Sequence, residues 1–252
     1  MNKVISLVIC SRDKVLFDRL VLNIAETIGC SHEIIGITGA NAINEAYQEG
    51  LEKSKGDLCV FLHEDVLFHS NDWGKKLQKY FLKDETLGLV GVAGSKSKTY
   101  IPSAWWDCPE EDKVIRIIQH FSTGEIKDQN QGFNKSKIER VAIIDGVFMA
   151  LRKNKSIHFD KSLDGFHGYD LDLSLSVIKA GYTIYVTDEI VLEHYSSGSL
   201  SMSWVNSLFH THRNHLSVLP ISLSFFGYSI SQEIRNLIQL FKHYLNLVMK
   251  NS

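Results

Sequence analysis

The sequence is poor in proline, with three in 252 residues, and it holds no low-complexity tract. Neither a long linker nor a disordered domain is expected. Its four cysteines, Cys10, Cys30, Cys59 and Cys108, include no pair spaced as a metal knuckle or redox couple. They read as reduced thiols of a cytoplasmic protein, with Cys10 and Cys59 inside buried strands. No apolar run reaches the ~18 residues that a spanning helix needs. The first such run, Val4 to Cys10, meets Arg12 and Asp13 too soon to be a signal peptide. An excess of one charge is missing as well: 27 Lys+Arg against 29 Asp+Glu leave a formal net charge of -2. That balance offers nucleic acid no global field. There is no GxGxxG and no Walker sequence, which disfavours dinucleotide and ordinary P-loop chemistry.

What is present is globular. A hydrophobic fraction of 44% and a charged fraction of 22% are ordinary for a chain that buries a core. The length fits one large domain, with or without a small C-terminal extension. Hydrophobic periodicity alternates early. VISLVIC at 4–10 is a continuous β-rich run, and Phe17, Val21, Ile24 and Ile28 then fall on one helical face. EIIGIT at 33–38, a helical segment near 41–54 and LCVFL at 58–62 complete a β-α-β-α-β series. Such alternation predicts a parallel sheet with right-handed crossovers. Further strands are expected at 87–94, 114–121, 139–152, 182–187 and 189–193, and a helix from Gly168 or Tyr169 to Ala180. The tail from 203 to 250 reads as mostly helical. Ile230, Ile234, Leu237, Ile238, Phe241, Leu245 and Val248 form one apolar stripe there.

Ligands of open α/β sheets bind beyond the carboxyl ends of the strands. This points to Cys10-Ser11-Arg12, Thr38-Gly39-Ala40 and His63-Glu64-Asp65. Aspartate oxygen suits Mg²⁺ or Mn²⁺, and an imidazole tilts the choice toward Mn²⁺. An exposed acidic loop would read the same way. Asp170 and Asp172 open a helix, where carboxylates also sit for dipole reasons. Two apart, they diverge by about 200° and cannot both face one site. One of them is a candidate general base. His194 ends a strand and could complete a metal shell begun by His63 and Asp65, or be merely structural. Asp145-Gly146 interrupts an apolar strand, so its carboxylate must be paired, bulged or turned to a site. Trp105 and Trp106 could stack on sugar rings or anchor a loop to the core. His210, His212 and His215 read as solvated side chains of a polar helix.

Five segments occur in an order that resembles the family 2-like glycosyltransferases, in particular the bacterial capsule and polysaccharide branch. They are SLVICSRD at 6–13, AINEAYQEGLEKSKGDLCVFLHEDV at 42–66, VAIIDGVFMALRK at 141–153, FDKSLDGFHGYDLDLSLSVIKAGY at 159–182 and VLEHYSSGS at 191–199. The resemblance covers roughly residues 3–200. It implies a GT-A fold, an α/β domain over 1–200 with a mostly parallel central sheet flanked by helices, followed by a helical extension over 201–252. It places His63-Glu64-Asp65 where relatives carry Asp-X-Asp, with Asp65 as the best metal ligand. His63 stands in for the first Asp, and His194 matches a third ligand. Ser11, Arg12, Glu64, Asp145 and Gly146 fall where the donor nucleotide and its sugar are bound. Tyr169 takes a Glu position, so Asp170 becomes the base and Asp172 the reserve.

The activity implied is inverting transfer of a sugar from a nucleoside diphosphate, UDP by preference, with Mn²⁺ or Mg²⁺. The acceptor would be a glycan or a lipid-linked saccharide, with Trp105 and Trp106 as acceptor contacts. An inactive nucleotide-sugar or glycan binding module is the main alternative. A nucleotidyltransferase, or a metallohydrolase using His63, His167 and His194, has less support. The polar face of the tail helix is not notably basic. Docking on the domain or formation of a homodimer is favoured over peripheral contact with the inner membrane face.

Overall fold

The computed structural model describes residues 4–196, 198, 200–224 and 227–250. Ser197 and Ser199 of the closing histidine segment lie outside the described residues. The chain opens with β1 (Ile5–Ser11), α1 (Lys14–Thr27), β2 (His32–Thr38), α2 (Ile43–Lys53) and β3 (Leu58–His63). It continues through β4 (Val66–Phe68), α3 (Trp73–Lys83), β5 (Leu87–Gly91), β6 (Ala93–Ser95), β7 (Ser97–Lys98) and β8 (Lys113–His120). Then come β9 (Ile126–Gln131), β10 (Ile138–Val141), β11 (Ile143–Ile144), β12 (Phe148–Arg152) and α4 (Tyr169–Lys179). β13 (Thr183–Thr187), β14 (Leu192–His194), α5 (Met202–Asn214), β15 (Ile221–Ser222) and α6 (Ile230–Lys250) complete it.

The first five elements are the predicted alternation. β1 pairs in parallel with β2 and β3, and the register aligns Ser11 with Thr38 and Cys10 with His63. α1 begins where Asp13 caps it, its carboxylate accepting the N–H groups of Val15 at 2.8 Å and Leu16 at 3.2 Å. Such a cap stabilises a helix by about 1 kcal/mol.

The seven-stranded sheet runs β10-β13-β5-β12-β3-β1-β2. β12 lies antiparallel between β3 and β5, so the sheet is mixed rather than uniformly parallel. A second sheet runs β11-β6-β8-β14-β4, with β9 paired to β8. Segments read as single strands are divided between the two sheets. LGLVGVAG becomes β5 in the first and β6 in the second. The segment 139–152 becomes β10, β11 and β12, broken at Asp145-Gly146. β9, IKDQNQ, was not expected because an exposed edge strand pairs by its backbone and carries no apolar alternation.

Two apolar layers cover the first sheet. Leu20, Ile24, Trp73, Leu77 and Phe81 of α1 and α3 pack on one face. Tyr47, Leu51, Leu173 and Val177 of α2 and α4 pack on the other. Burying each such large side chain contributes roughly 1.5–3 kcal/mol. A third cluster joins Leu171 and Leu175 of α4 to Trp204, Val205 and Leu208 of α5 and to Leu240 of α6. Gly168 precedes α4 in the left-handed region, at φ 77°, and a Cβ there would meet Ser207 of α5 at 3.0 Å. Both the backbone and the helix crossing therefore require glycine.

The structure corrects three further expectations. His212 and His215 are buried, not solvated. α6 does dock, but through Asn236, Leu240 and Leu247. The predicted stripe from Ile230 to Val248 stays exposed. Cys10, expected inside a buried strand, is only half-buried, while Cys59 is fully buried.

Gly50 of α2 lies against β1, and a Cβ there would sit 2.1 Å from Cγ1 of Val8. Gly50→Ala should destabilise the protein by about 1–3 kcal/mol despite its better helix propensity. Urea unfolding should show a smaller loss in a Val8→Ala background, where the clash is relieved.

Candidate metal centre and catalytic cleft

β3 ends at His63, and the chain turns into the second sheet as β4. Side chains alternate through this turn. Glu64 points back to the turn between β1 and α1. Its carboxylate accepts the Ser11 hydroxyl at 2.6 Å and the N–H groups of Arg12 and Asp13 at 3.0 Å each. Glu64 and Ser11, both expected at the donor, thus spend their side chains on each other and on the loop.

His63 and Asp65 converge on His194, which β14 brings in beside β4. Nδ1 of His63 is 3.5 Å from Nε2 of His194 and 4.0 Å from Oδ1 of Asp65, and Nε2 of His194 is 3.5 Å from the same oxygen. Ligands held at about 2.1 Å from one ion sit roughly 3.0–3.5 Å apart, so a small contraction would close this set on a cation. Two imidazoles and one carboxylate fit a divalent transition-metal ion, Mn²⁺ among them, better than Ca²⁺.

The protonation states suit ligation. Gln119 Nε2 donates to the carbonyls of His120 and Ser196, both at 2.7 Å. Its Oε1 must then accept from His194 Nδ1 at 3.0 Å. That fixes the His194 proton on Nδ1 and leaves the Nε2 lone pair facing Asp65. His63 Nε2 is held by a short hydrogen bond to the Tyr169 hydroxyl, leaving Nδ1 toward the cluster. Burial first, and then His194, push His63 below its ordinary pKa, keeping it neutral. Burial alone would raise Asp65. Donation from His194 when its Nε2 carries a proton, and from Ser196, outweighs it and holds the carboxyl well below the usual range, and a bound cation would take the place of that Nε2 proton.

The antiparallel entry of β12 puts Asp145 and Gly146 at the same edge. The His63 N–H reaches the Val147 carbonyl at 3.4 Å, and the Asp145 N–H donates to Ala93 O at 2.8 Å. One Asp145 oxygen accepts the Val147 N–H at 2.8 Å and the other the Trp105 indole N–H at 2.7 Å. Gly146 must lack a side chain, because a Cβ would lie 2.3 Å from the Tyr169 hydroxyl. Asp170, the first-turn residue after Tyr169, accepts the Leu171 N–H at 2.8 Å. Burial, and secondly the Asp145 charge, raise its pKa to about 7. That is an appropriate value for a base working near neutrality.

The remaining residues separate. Asp172 is 3% exposed and pairs at 2.8 Å with His215, itself 5% exposed, on the far side of α4. It is a packing element between α4 and the turn after α5, and it cannot serve as reserve base. Trp105 is the anchored member of its pair. Trp106 is exposed and stacks on Trp204 with centroids 6.4 Å apart. The Arg12 guanidinium lies 3.7 Å over the Phe166 ring. His167 is not among the clustered ligands. Sequence reasoning missed Gln119 and the Tyr169–His63 bond, since neither partner is near the other in the chain.

A mixed sheet with its cleft where the strand ends meet an acidic turn is the GT-A architecture of nucleotide-sugar transferases. Residues 6–212 match the glycosyltransferase-like family, and the chain belongs to it. The fold is shared with a crystal structure of GalNAc-T7 with UDP, GalNAc and Mn²⁺ (TM-score 0.57, 12% identity, 83% of this chain). This chain spans about half of that protein, 47%. A crystal structure of S. aureus TarS 1-349 aligns at a TM-score of 0.50 and 12% identity over 98% of this chain and 72% of that one. No curated protein sequence matches the chain.

Gln119→Leu should keep the fold but weaken Mn²⁺ binding about 10–100-fold, read by calorimetry, because the His194 tautomer is no longer fixed. In metal-free protein the raised Asp170 carboxyl favours folding at low pH. That contribution is lost as pH rises from near 3.8 to about 7. The stability advantage of Asp170→Asn over wild type in urea should therefore grow across that interval.

Proposed function

We propose that the protein is an inverting, metal-dependent glycosyltransferase that moves a sugar from a UDP-sugar to a saccharide or lipid-linked acceptor. The convergence of His63, Asp65 and His194 beside Asp145 and Asp170 carries this reading. The family supports the reaction class, and the GalNAc-T7 structure contains UDP and Mn²⁺. The three ligands would hold Mn²⁺ or Mg²⁺, which when bound offsets charge on the departing diphosphate. Glu64 positions the β1–α1 turn, so that Arg12 presents its guanidinium at the mouth of the donor site. Asp170 accepts the proton of the acceptor hydroxyl as that oxygen attacks the anomeric carbon. A single displacement inverts the centre.

Asp145 keeps Asp170 basic by its charge and holds Trp105, while the exposed ring of Trp106 offers a platform to an acceptor sugar. A role in bacterial surface polysaccharide or capsule synthesis, in a cytoplasmic setting, fits this chemistry. Residues 1–200 would form the catalytic unit and 201–252 its extension.

One observation favours a second reading, a binding module without turnover. Tyr169 occupies the expected Glu position and is committed to His63. Calorimetry with UDP and Mn²⁺ followed by UDP-sugar turnover separates the two. Asp65→Ala should weaken Mn²⁺-dependent UDP binding at least about tenfold. Asp170→Asn should keep that binding and lower kcat by about 10²–10⁴. Metal-dependent UDP binding without any transfer or hydrolysis would establish the binding module instead. Absence of metal-dependent binding for UDP, GDP and dTDP would remove the metal-centre reading.

A further inference from the structure

α6 presents two unlike faces. The inner face joins the apolar packing of Leu240 and Leu247 to specific polar bonds. Asn236 donates to Thr99 at 2.8 Å, Gln232 to the Asp107 carbonyl at 3.2 Å, and His243 stands edge-on to Trp204. The Glu233 carboxylate accepts the N–H groups of Tyr100 at 2.7 Å and Ile101 at 2.9 Å. The outer face is apolar. Ile230, Leu237 and Phe241 are 70%, 53% and 60% exposed, with Ile234, Leu245 and Val248 beside them. Over 21 residues this face extends about 31 Å. A continuous apolar surface of this extent is rare on a monomer and marks a contact surface.

The charges of α6 identify the occupant. Its one acid, Glu233, is turned inward onto backbone N–H groups. Arg235 and Lys242, two helical turns apart, are exposed along one rim of the apolar face, with no ion-pair partner among the described residues. A two-fold antiparallel pairing of two copies through this face would set each cationic rim against its own copy, which repels. An anionic surface matches the apolar stripe and the rim together. No helix among the described residues is long and apolar enough to cross a membrane, so the geometry is that of a helix lying in the interface plane.

We propose that α6 lies on an anionic lipid bilayer, its Ile230–Val248 face among the acyl chains and Arg235 and Lys242 at the headgroups. The inner face of the same helix holds the loop at 99–107, whose Trp105 reaches Asp145 in the cleft. Resting on the transferase reading, this makes the acceptor a lipid-linked saccharide presented from that bilayer.

Flotation of the full chain with vesicles tests the proposal independently of catalysis. Wild type should float with phosphatidylcholine–phosphatidylglycerol vesicles, less so in high salt, and remain at the bottom with pure phosphatidylcholine. Arg235→Gln/Lys242→Gln should weaken binding at least about tenfold, since each cation near such a surface contributes on the order of fivefold. Leu237→Ser/Phe241→Ser should abolish it while melting temperature and Mn²⁺-dependent UDP binding are retained. Failure to float with anionic vesicles, or equal flotation with both kinds, would overturn the proposal. So would a lipid-free dimer that Leu237→Ser/Phe241→Ser dissolves, which would give the face to a second copy. Loss of UDP binding by wild type with flotation intact would count against the transferase reading alone.

Discussion

The chain changes sheets at residues 63–65, and the site depends on how that crossing is fixed. Side chains alternate along an extended segment, so a carboxylate at 64 must face away from those at 63 and 65. Glu64 accepts three donors from the β1–α1 turn and is thereby fully committed. With the middle residue tied down, His63 and Asp65 have one orientation left, toward His194. The same crossing recurs nearby, where β5 passes into β6 and where β11 and β12 divide at Asp145-Gly146. The cleft is the seam between two sheets. Its polar groups come from the irregular residues that such a seam requires.

α4 shows how one helix serves both the cleft and the core. The wide angle between Asp170 and Asp172 sends the first toward Asp145 and the second into a buried pair with His215. A buried hydrogen-bonded pair of this kind adds little net stability over apolar residues, but removing either partner leaves a buried polar group unsatisfied. Its value is orientational. It ties the turn after α5 to α4, and so sets the rotation at which α4 presents Asp170.

Much of this was legible because it is local. The β-α-β-α-β opening, the strand ends and the helix start at Tyr169 follow from periodicity and capping within short windows. The membership of His63, Asp65 and His194 in one cluster came from a resemblance in segment order, and no spacing rule would have joined residues 131 positions apart. What stayed hidden is non-local or depends on backbone pairing. The polar strand β9 has no side-chain signature. Glu64 and Asp172 were read as site residues because a carboxylate near a site looks the same whether it faces the ligand or a neighbouring N–H. The buried His212 and His215 were read as solvated because a polar helical segment gives no hint of the packing that covers it. The tail stripe was read as a face for docking or for pairing with a second copy, and the docking bonds come instead from Asn236 and Gln232.

Tyr169 is the largest departure from the resemblance, and its surroundings explain how the site accommodates it. A carboxylate at this position would be acid-paired with neutral His63 and would add negative charge beside Asp145 and Asp170. The tyrosine instead contributes a neutral hydroxyl, which orients His63 without perturbing the carboxylates. Its ring fits only because position 146 is glycine. Histidine at 63, tyrosine at 169 and glycine at 146 therefore form one interlocked set. Asp170, the proposed base, lies outside that set, raised by burial and by Asp145. An imidazole rather than a carboxylate at 63 thus leaves the proposed proton acceptor undisturbed. It lowers the negative charge of the candidate metal site, which favours a transition-metal ion such as Mn²⁺ over Mg²⁺ there.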